Sequence, residues 1–257
     1  MHSDLSEFHH PLTDVFVATG DLPEAISDDD KQFFDEHGYL SGIKLLNDEQ
    51  LSLLRKDLEV VMQPAFAGNS RFYEYHRNES VSSETTLFHA LGAWRVSLAF
   101  HDLIFYPRFV SAASALLGGP IRFWHDQLFV KPPHDGGVVA WHQDYSYWTR
   151  TEPVAHLTCW IALDDSVVAN GCVHYVPGSH KWNLLPRGEL ANNMESVLSL
   201  LTDQQKQAFR PIPVELKAGE ASFHHPLMLH GSYENRSETP RRAAVINVFR
   251  DGVMSAT

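Results

Sequence analysis

The chain has 257 residues, of which 44% are hydrophobic and 20% charged, and 20 Lys and Arg stand against 32 Asp and Glu for a formal net charge of −12. These figures are typical of one large globular domain, and the acidic balance argues against non-specific binding to nucleic acid or to an anionic membrane. Every apolar run is shorter than the roughly 20 residues that span a bilayer, and Met1–Phe16 lacks the order of a signal peptide, so we expect a cytoplasmic protein.

The first part of the chain, to about residue 118, is predicted to be helical. Ser27 precedes three aspartates and predicts the start of a helix that ends at Gly38. Asn47, three residues before a glutamine, predicts the start of a second helix, which ends before Pro64. A third helix is predicted from about Pro107 to Gly118.

The second part, from about residue 119, has short segments rich in β-branched and aromatic residues, separated by Gly, Pro and Asn-Gly. The predicted strands are Ile121–Lys131, Val138–Asp144, His156–Leu163, Cys172–Val176, Val214–Leu216, Glu220–His224 and Arg242–Arg250. Many short strands without alternating helices predict an antiparallel sandwich or barrel. Ser196–Phe209 is predicted as a helical insert, and no linker divides the chain, so we expect one domain over residues 1–257 with helices outside a β core.

The strongest chemical signal is the run Trp141-His142-Gln143-Asp144. On a strand, residues i and i+2 point to one face, so His142 and Asp144 can reach the same point. A third ligand has to come from elsewhere in the fold, and His230 is the best candidate. Two histidines and one carboxylate leave open metal positions, as Fe(II) oxygenases require, whereas a structural zinc site uses four protein ligands.

An arginine near the start of the last long predicted strand supports this interpretation. Alternation places Arg241 on the same face as Ala243, Val245 and Asn247. A guanidinium at the inner end of an apolar strand calls for a carboxylate partner, which it binds through two parallel hydrogen bonds. Arg242, on the other face, is predicted to be a surface residue.

The chain resembles the phytanoyl-CoA dioxygenase family of Fe(II)- and 2-oxoglutarate-dependent oxygenases over nearly its whole length. The motifs that carry the resemblance are Phe33-Phe34-Asp35-Glu36-His37-Gly38-Tyr39-Leu40, Trp141-His142-Gln143-Asp144, Thr158-Cys159-Trp160-Ile161-Ala162-Leu163-Asp164-Asp165, Asn170-Gly171-Cys172, Val176-Pro177-Gly178-Ser179-His180, His230-Gly231-Ser232 and Pro240-Arg241-Arg242-Ala243. The resemblance implies a double-stranded β-helix, that is, a jelly-roll, cupin-like barrel that is mainly β with flanking helices.

The resemblance also implies roles for individual residues. His142, Asp144 and His230 would bind Fe(II), with dioxygen and 2-oxoglutarate as co-substrates. Arg241 and Ser232 would bind the distal carboxylate of 2-oxoglutarate, and Trp160 would line its pocket. The implied reaction is hydroxylation of an unactivated C–H bond of a small metabolite with release of succinate and carbon dioxide. Because the carboxylate of Asp144 is present, hydroxylation or a related oxidation is favoured over halogenation.

Several assignments stay open at this point. Gln127 is a candidate to hydrogen-bond the co-substrate, or an ordinary sheet residue. His224 and His225 compete with His230 as third ligand, and Arg122 and Arg187 are candidate anchors for an anionic substrate. The alternative functions are a metal-dependent cupin-type enzyme that does not use 2-oxoglutarate and a non-catalytic ligand-binding relative. Monomer and homodimer are both compatible with the sequence.

Overall fold

The computed structural model describes residues 4–17, 26–80, 84–148, 151–188 and 193–255. Its α-helices are α1 (Asp28–His37), α2 (Asp48–Val61), α3 (Leu98–Phe105), α4 (Pro107–Leu117) and α5 (Asp203–Ala208). Its strands are β1 (Tyr39–Lys44), β2 (Glu74–His76), β3 (Phe88–Leu91), β4 (Ile121–Lys131), β5 (Val139–His142), β6 (Thr151–Glu152), β7 (His156–Ala162), β8 (Val173–Tyr175), β9 (Ile212–Val214), β10 (Glu220–His224), β11 (His230–Ser232), β12 (Arg241–Arg250) and β13 (Met254–Ser255).

Two antiparallel sheets form the β core. The larger has the order β1-β10-β7-β12-β4-β3-β2, and the smaller has the order β5-β11-β8-β9. Apolar side chains from the two sheets pack together between them, among them Trp160 and Val245 of the larger and Val173 and Val214 of the smaller. This arrangement is the jelly-roll barrel with flanking helices that the sequence analysis expected.

The helices cover the outer face of the larger sheet. Strand alternation along β12 turns Val245 inward, while Ala244, Ile246 and Val248 face outward and pack in one apolar core with residues of α1 to α4. The strand β12 lies between β4 and β7 and pairs with both along most of its length. A central strand held on both sides is a rigid base for the side chains on its inner face.

The predicted helix starts and ends are confirmed. Ser27 and Asn47 each form a capping box, and Gly38 and Gly118 end their helices in the left-handed conformation at φ of +80° and +67°. The helical insert predicted at Ser196–Phe209 consists of a 3-10 segment, Met194–Leu200, followed by α5, so it begins two residues earlier than predicted.

The expectation that the first 118 residues are helical is wrong in part, because β1, β2 and β3 also lie in this stretch and join the larger sheet. The strands β2 and β3 are only three and four residues long, too short to show an alternating pattern. None of the helices in the described part of the chain has the length and apolar composition of a membrane span.

Candidate active site

The HxD motif lies where β5 ends and a short 3-10 turn begins. The strand was predicted to run to Asp144 but ends at His142, and Asp144 starts the turn Asp144–Tyr147. The intervening Gln143 has extended backbone angles, so the alternation continues for one more residue. Its buried side chain donates to the carbonyl of Leu227 and accepts from the amide of Leu185, at 2.9 and 2.7 Å, which anchors the motif to two loops.

His230 stands directly opposite His142 across the smaller sheet. Strands β5 and β11 are antiparallel neighbours, and these two histidines are register partners with ring centroids 4.1 Å apart. Their Nε2 atoms lie 3.4 Å (His142) and 3.6 Å (His230) from Oδ1 of Asp144. The structure therefore brings together the three residues that the sequence singled out, as one cluster with metal-ligand spacing.

The tautomers of the two histidines are set by the backbone. Nδ1 of His142 donates to the carbonyl of Ala140 at 2.8 Å, and Nδ1 of His230 donates to the carbonyl of Met228 at 2.9 Å. The neutral imidazole then has its lone pair on Nε2, on the side of Asp144. Burial lowers the pKa of His230 well below its usual range, which favours this neutral form. Two lone pairs and a carboxylate oxygen that converge on one point suit a divalent cation.

The second oxygen of Asp144 is fully engaged by the protein. Oδ2 accepts a 2.6 Å hydrogen bond from the hydroxyl of Thr158 and a 3.0 Å hydrogen bond from Nε2 of His224. Burial raises the pKa of Asp144, but hydrogen bonds that stabilise the ionised form, among them the one from His224, outweigh burial and bring that pKa well below its usual range, so the group is a carboxylate.

His224 is thus a partner of the carboxylate and lies outside the ligand cluster, although the sequence left it open as a third ligand. Its Nδ1 accepts from the hydroxyl of Tyr175 at 2.9 Å, and that hydroxyl also contacts Ser222. His225, the other open candidate, bonds its own loop through Nδ1 to the amide of Leu227 at 3.1 Å.

Arg241 reaches the same cavity from the start of β12. Its side chain is 2% exposed, and its guanidinium carbon lies 5.3 Å from the ring centroid of Trp160. One nitrogen donates to Oγ of Ser232 at 3.3 Å, but the buried Nε has no hydrogen-bond partner, and no carboxylate among the described residues pairs with this arginine. Burial lowers the pKa of Arg241 to about 10, so the group remains a cation at neutral pH.

A buried lysine, which the sequence analysis did not single out, contacts Ser232 at this end of the cavity. Nζ of Lys131 donates to Oγ of Ser232 at 2.7 Å and to the carbonyl of Tyr233 at 2.5 Å. Because the hydroxyl oxygen of Ser232 accepts from both Lys131 and Arg241, its own proton is available to a further acceptor. The signal in the sequence is a lysine at the inward end of a long apolar strand, which is unusual for a residue that is almost never fully buried.

One cavity of about 400 Å³ connects the clustered residues with Arg241 and Ser232. Its lining includes the three clustered residues and Arg241, Ser232, Trp160 and Gln127, together with Glu79, His89, Trp124, His125, Tyr147, Trp148 and Arg187. Of the two arginines considered for an anionic substrate, Arg187 lies at this cavity, whereas Arg122 is on the surface in an ion pair with Asp251. Arg242, predicted at the surface, is instead half-buried and bonds Asp164 through two nitrogens at 2.8 Å.

A second group of close ligand atoms lies near the N-terminus, on His10, His101 and Asp102. There Nδ1 of His101 donates to Oδ1 of Asp102 at 3.0 Å and Nδ1 of His10 donates to the carbonyl of Pro11 at 2.8 Å, so both lone pairs are on Nε2. Nε2 of His101 faces His9 at 3.4 Å, on the far side of the ring from Asp102. These lone pairs do not converge, and the group is explained by its hydrogen bonds.

A jelly-roll barrel that holds two histidines and one carboxylate close together, with an unpaired arginine in the same cavity, is the arrangement typical of mononuclear non-haem iron proteins. Comparison with known proteins gives the particular family. The model of the phytanoyl-CoA dioxygenase family matches residues 34–243, and the chain belongs to this family.

Individual relatives agree with this membership. A probable phytanoyl-CoA dioxygenase of Caenorhabditis elegans is 33% identical over 155 residues, which cover 57% of this chain and 49% of that protein. The ectoine dioxygenase of Bordetella parapertussis is 26% identical over 251 residues, with 91% and 78% covered. The matched region thus spans about half the length of the nematode relative.

Among solved structures, the non-haem α-ketoglutarate-dependent carbocyclase SnoK from nogalamycin biosynthesis has the same fold. It superposes with a TM-score of 0.75 at 22% identity and covers 92% of this chain and 89% of its own.

Proposed function

We propose that this protein is a mononuclear Fe(II)- and 2-oxoglutarate-dependent oxygenase that oxidises a small metabolite. His142, Asp144 and His230 bind the iron, and Arg241 and Ser232 bind the distal carboxylate of 2-oxoglutarate beside Trp160. Bound iron with dioxygen and 2-oxoglutarate supplies the oxidising chemistry, with succinate and carbon dioxide as by-products.

The observation that carries this proposal is that the buried guanidinium of Arg241 has no carboxylate partner among the described residues. A buried guanidinium without a carboxylate costs several kcal/mol, so folded proteins pair such groups. Here a cation with a free buried Nε points into the cavity that holds the ligand cluster. The free proton of Ser232 adds a donor beside it. An anionic molecule with a carboxylate at that end satisfies both, and a cupin-type enzyme without 2-oxoglutarate has no use for them.

The protein's own contribution is to place and enclose these molecules. The guanidinium offers parallel donors for bidentate binding, and its cation–π contact with Trp160 helps to hold it in place. The histidine tautomers and the carboxylate of Asp144 are set by hydrogen bonds in the protein alone, so the ligands are preorganised.

The size of the cavity limits the substrate. About 400 Å³ is near the lower end of the roughly 300–1,000 Å³ of small-molecule sites, and the co-substrate takes part of it. We propose a compact substrate, or the compact end of a larger one, bound near Trp124, Tyr147 and Arg187. Hydroxylation is the expected outcome, because Asp144 keeps its carboxylate at the metal. The cytoplasmic location and the monomeric or dimeric state stay predictions from the sequence.

The test is anaerobic addition of Fe(II) and then 2-oxoglutarate to the metal-free protein, followed by its visible absorption. We expect the weak charge-transfer band of chelated 2-oxoglutarate. We expect that band to disappear in His230→Ala and to need far more 2-oxoglutarate in Arg241→Ala. Arg242→Ala is the matched control, because Arg242 is the neighbouring arginine but pairs with Asp164 outside the cavity, and its band should equal that of the wild type.

Bound iron without a band in the wild type would contradict 2-oxoglutarate dependence and favour the cupin-type enzyme. Absence of iron binding would favour a non-catalytic barrel. Equal effects of the Arg241 and Arg242 substitutions would show that Arg241 does not hold the co-substrate.

A further inference from the structure

A row of polar side chains crosses the inner face of the larger sheet and ends at Asp144. His89 on β3, Gln127 on β4, Asn247 on β12 and Thr158 on β7 lie on four neighbouring strands. Nε2 of His89 is 3.0 Å from Oε1 of Gln127, Nε2 of Gln127 is 2.9 Å from Oδ1 of Asn247, and Nδ2 of Asn247 is 2.9 Å from Oγ1 of Thr158. The chain is continuous, and its last member bonds Asp144.

The donor and the acceptor of every hydrogen bond in the row follow from the carboxylate of Asp144, at which the row ends. The carboxylate of Asp144 only accepts, so the Thr158 hydroxyl donates to it and accepts from the amide nitrogen of Asn247. The amide oxygen of Asn247 then accepts from the nitrogen of Gln127. The amide oxygen of Gln127 then faces His89. Because this oxygen can only accept, Nε2 of His89 must carry the proton.

The other ring nitrogen of His89 faces a carboxylate. Nδ1 lies 2.7 Å from Oε2 of Glu79, with the N–H direction away from the ideal hydrogen-bond line. Burial raises the pKa of Glu79, but the neighbouring His89 outweighs burial and brings this pKa below its usual value. The ring also stacks on Phe129 at 4.3 Å between ring centroids, so Glu79 and Phe129 both hold the ring that donates to Gln127.

We propose that Glu79, His89, Gln127 and Asn247 are positioning residues that orient the Thr158 hydroxyl toward Oδ2 of Asp144. This inference rests on the proposed role of Asp144 as a metal ligand. With Oδ2 held by Thr158 and by His224 on the next strand, Oδ1 alone faces the two histidines. The row differs from the role that the sequence suggested for Gln127, since both ends of its amide bond the protein rather than the co-substrate.

The direction of the row can be reversed with one nearly isosteric substitution, Gln127→Glu. Both oxygens of the new carboxylate accept, so Asn247 has to turn its NH2 group toward residue 127 and its oxygen toward Thr158. The Thr158 hydroxyl then donates to Asn247, and Asp144 loses that bond. If only the charge of residue 127 mattered, the additional negative charge would attract a metal cation and tighten its binding. Loss of the Thr158 bond to Asp144 predicts weaker binding instead.

The probe is Co(II) alone, titrated into the metal-free protein and followed by its visible absorption. We expect Gln127→Glu and Thr158→Val each to raise the dissociation constant by about 10-fold, the lower end for loss of a partner of a metal ligand. Thr158→Ser keeps the hydroxyl and should restore binding to within about twofold. Gln207→Glu adds the same charge on the exposed face of α5 and should change nothing. Cobalt binding by Gln127→Glu as tight as or tighter than that of the wild type would overturn the proposal.

A second measurement does not depend on any metal. In the metal-free protein, ¹⁵N NMR of the histidine rings should show a proton on Nε2 of His89, with the signal assigned by its loss in His89→Gln. A bare Nε2 on His89 in the wild type would overturn the row even if Co(II) binds, whereas a protonated Nε2 without any Co(II) binding would count against Asp144 as a ligand and leave the oriented row intact.

Discussion

Lys131 and Arg241 direct two buried basic groups at one oxygen, the hydroxyl of Ser232. The donor–acceptor distances are 2.7 Å from Nζ of Lys131 and 3.3 Å from the Arg241 guanidinium. Both residues belong to paired positions of β4 and β12, and both are almost inaccessible to solvent. Positive charge on such groups is costly to bury beside a neutral hydroxyl, and an anion bound at this end of the cavity relieves that cost.

The cost of burying Lys131 predicts a pH dependence of stability. Burial, and then the charge of Arg241, lower the pKa of Lys131 well below 10.5 in the folded protein. Below this folded-state pKa both the folded and unfolded states hold the proton, and the full penalty of the buried ammonium applies. Between the folded-state pKa and 10.5 the unfolded chain binds more protons, so folding becomes more favourable as the pH rises.

Urea unfolding of the wild type and of Lys131→Met from about pH 7 to about pH 10 measures this effect. We expect the unfolding free energy of the wild type minus that of Lys131→Met to increase as the pH rises, by at most about 1.4 kcal/mol per pH unit. Other titrating groups cancel in the difference. A difference that stays constant, or that moves toward the variant, would show that the folded protein holds this lysine with an ordinary pKa.

The sequence correctly predicted those parts of the fold that depend on residues close together in the chain. The capping boxes at Ser27 and Asn47 fixed two helix starts, and the strands Ile121–Lys131 and Glu220–His224 have the predicted bounds. The helix α3 was missed because six of its eight residues are buried, which leaves no amphipathic period. His142 and Asp144 were found because the extended backbone continues through Gln143 and brings both side chains to one side.

The residues that surround the cluster could not be predicted from the sequence, because their partners lie far away in the chain. Thr158 and Asn247 are register partners on β7 and β12, 89 positions apart in the sequence. The contact of Lys131 with Ser232 joins residues 101 positions apart. Each residue alone is an ordinary strand residue, and only the pairing of the strands shows that they share one network.

We predict that replacing Gly171 lowers the stability of the protein more than replacing Gly178. Both have positive φ, +79° and +81°. A Cβ at Gly171 would overlap the carbonyl oxygen of Tyr233, which accepts from Lys131, whereas a Cβ at Gly178 meets nothing within 4 Å. We expect Gly178→Ala to lower the unfolding free energy by about 1 kcal/mol, the cost of the left-handed backbone alone.

For Gly171→Ala we expect at least about 2 kcal/mol, because the steric overlap is added to the backbone cost. Urea unfolding of both variants at one pH gives the comparison directly. Equal losses would mean that the Tyr233 segment moves aside freely and does not hold Lys131 in place.

Metal stoichiometry separates the two clusters of ligand atoms. Because only His142 and His230 direct lone pairs toward their carboxylate, we expect the untagged wild type to retain about one Co(II) per chain after dialysis. His142→Ala should retain none, and His10→Ala should retain the same amount as the wild type. Elemental analysis of the dialysed proteins is sufficient. A second equivalent that disappears in His10→Ala would show that His101 and Asp102 rearrange around a metal of their own.

His224 provides the sharpest test of which histidine is the third ligand. Its Nε2 donates to Oδ2 of Asp144, so it acts on the metal through the carboxylate. We expect His224→Leu to raise the dissociation constant for Co(II) by about 10-fold while the visible spectrum of the bound ion keeps its shape. His224→Gln places an amide N–H where the ring nitrogen was and should recover most of that affinity.

The matched substitution at His230 should behave differently. Because Nε2 of His230 carries a free lone pair directed at Oδ1 of Asp144, loss of the ring in His230→Leu removes a ligand, and the remaining binding should be weak with an altered spectrum. The reverse pattern, with binding abolished by His224→Leu and an unaltered spectrum in His230→Leu, would assign the third ligand to His224. In that case Nδ1 of His224 would have to donate to the Tyr175 hydroxyl instead of accepting from it. The buried hydroxyl would then keep only Ser222 as an acceptor, which makes this arrangement less favourable.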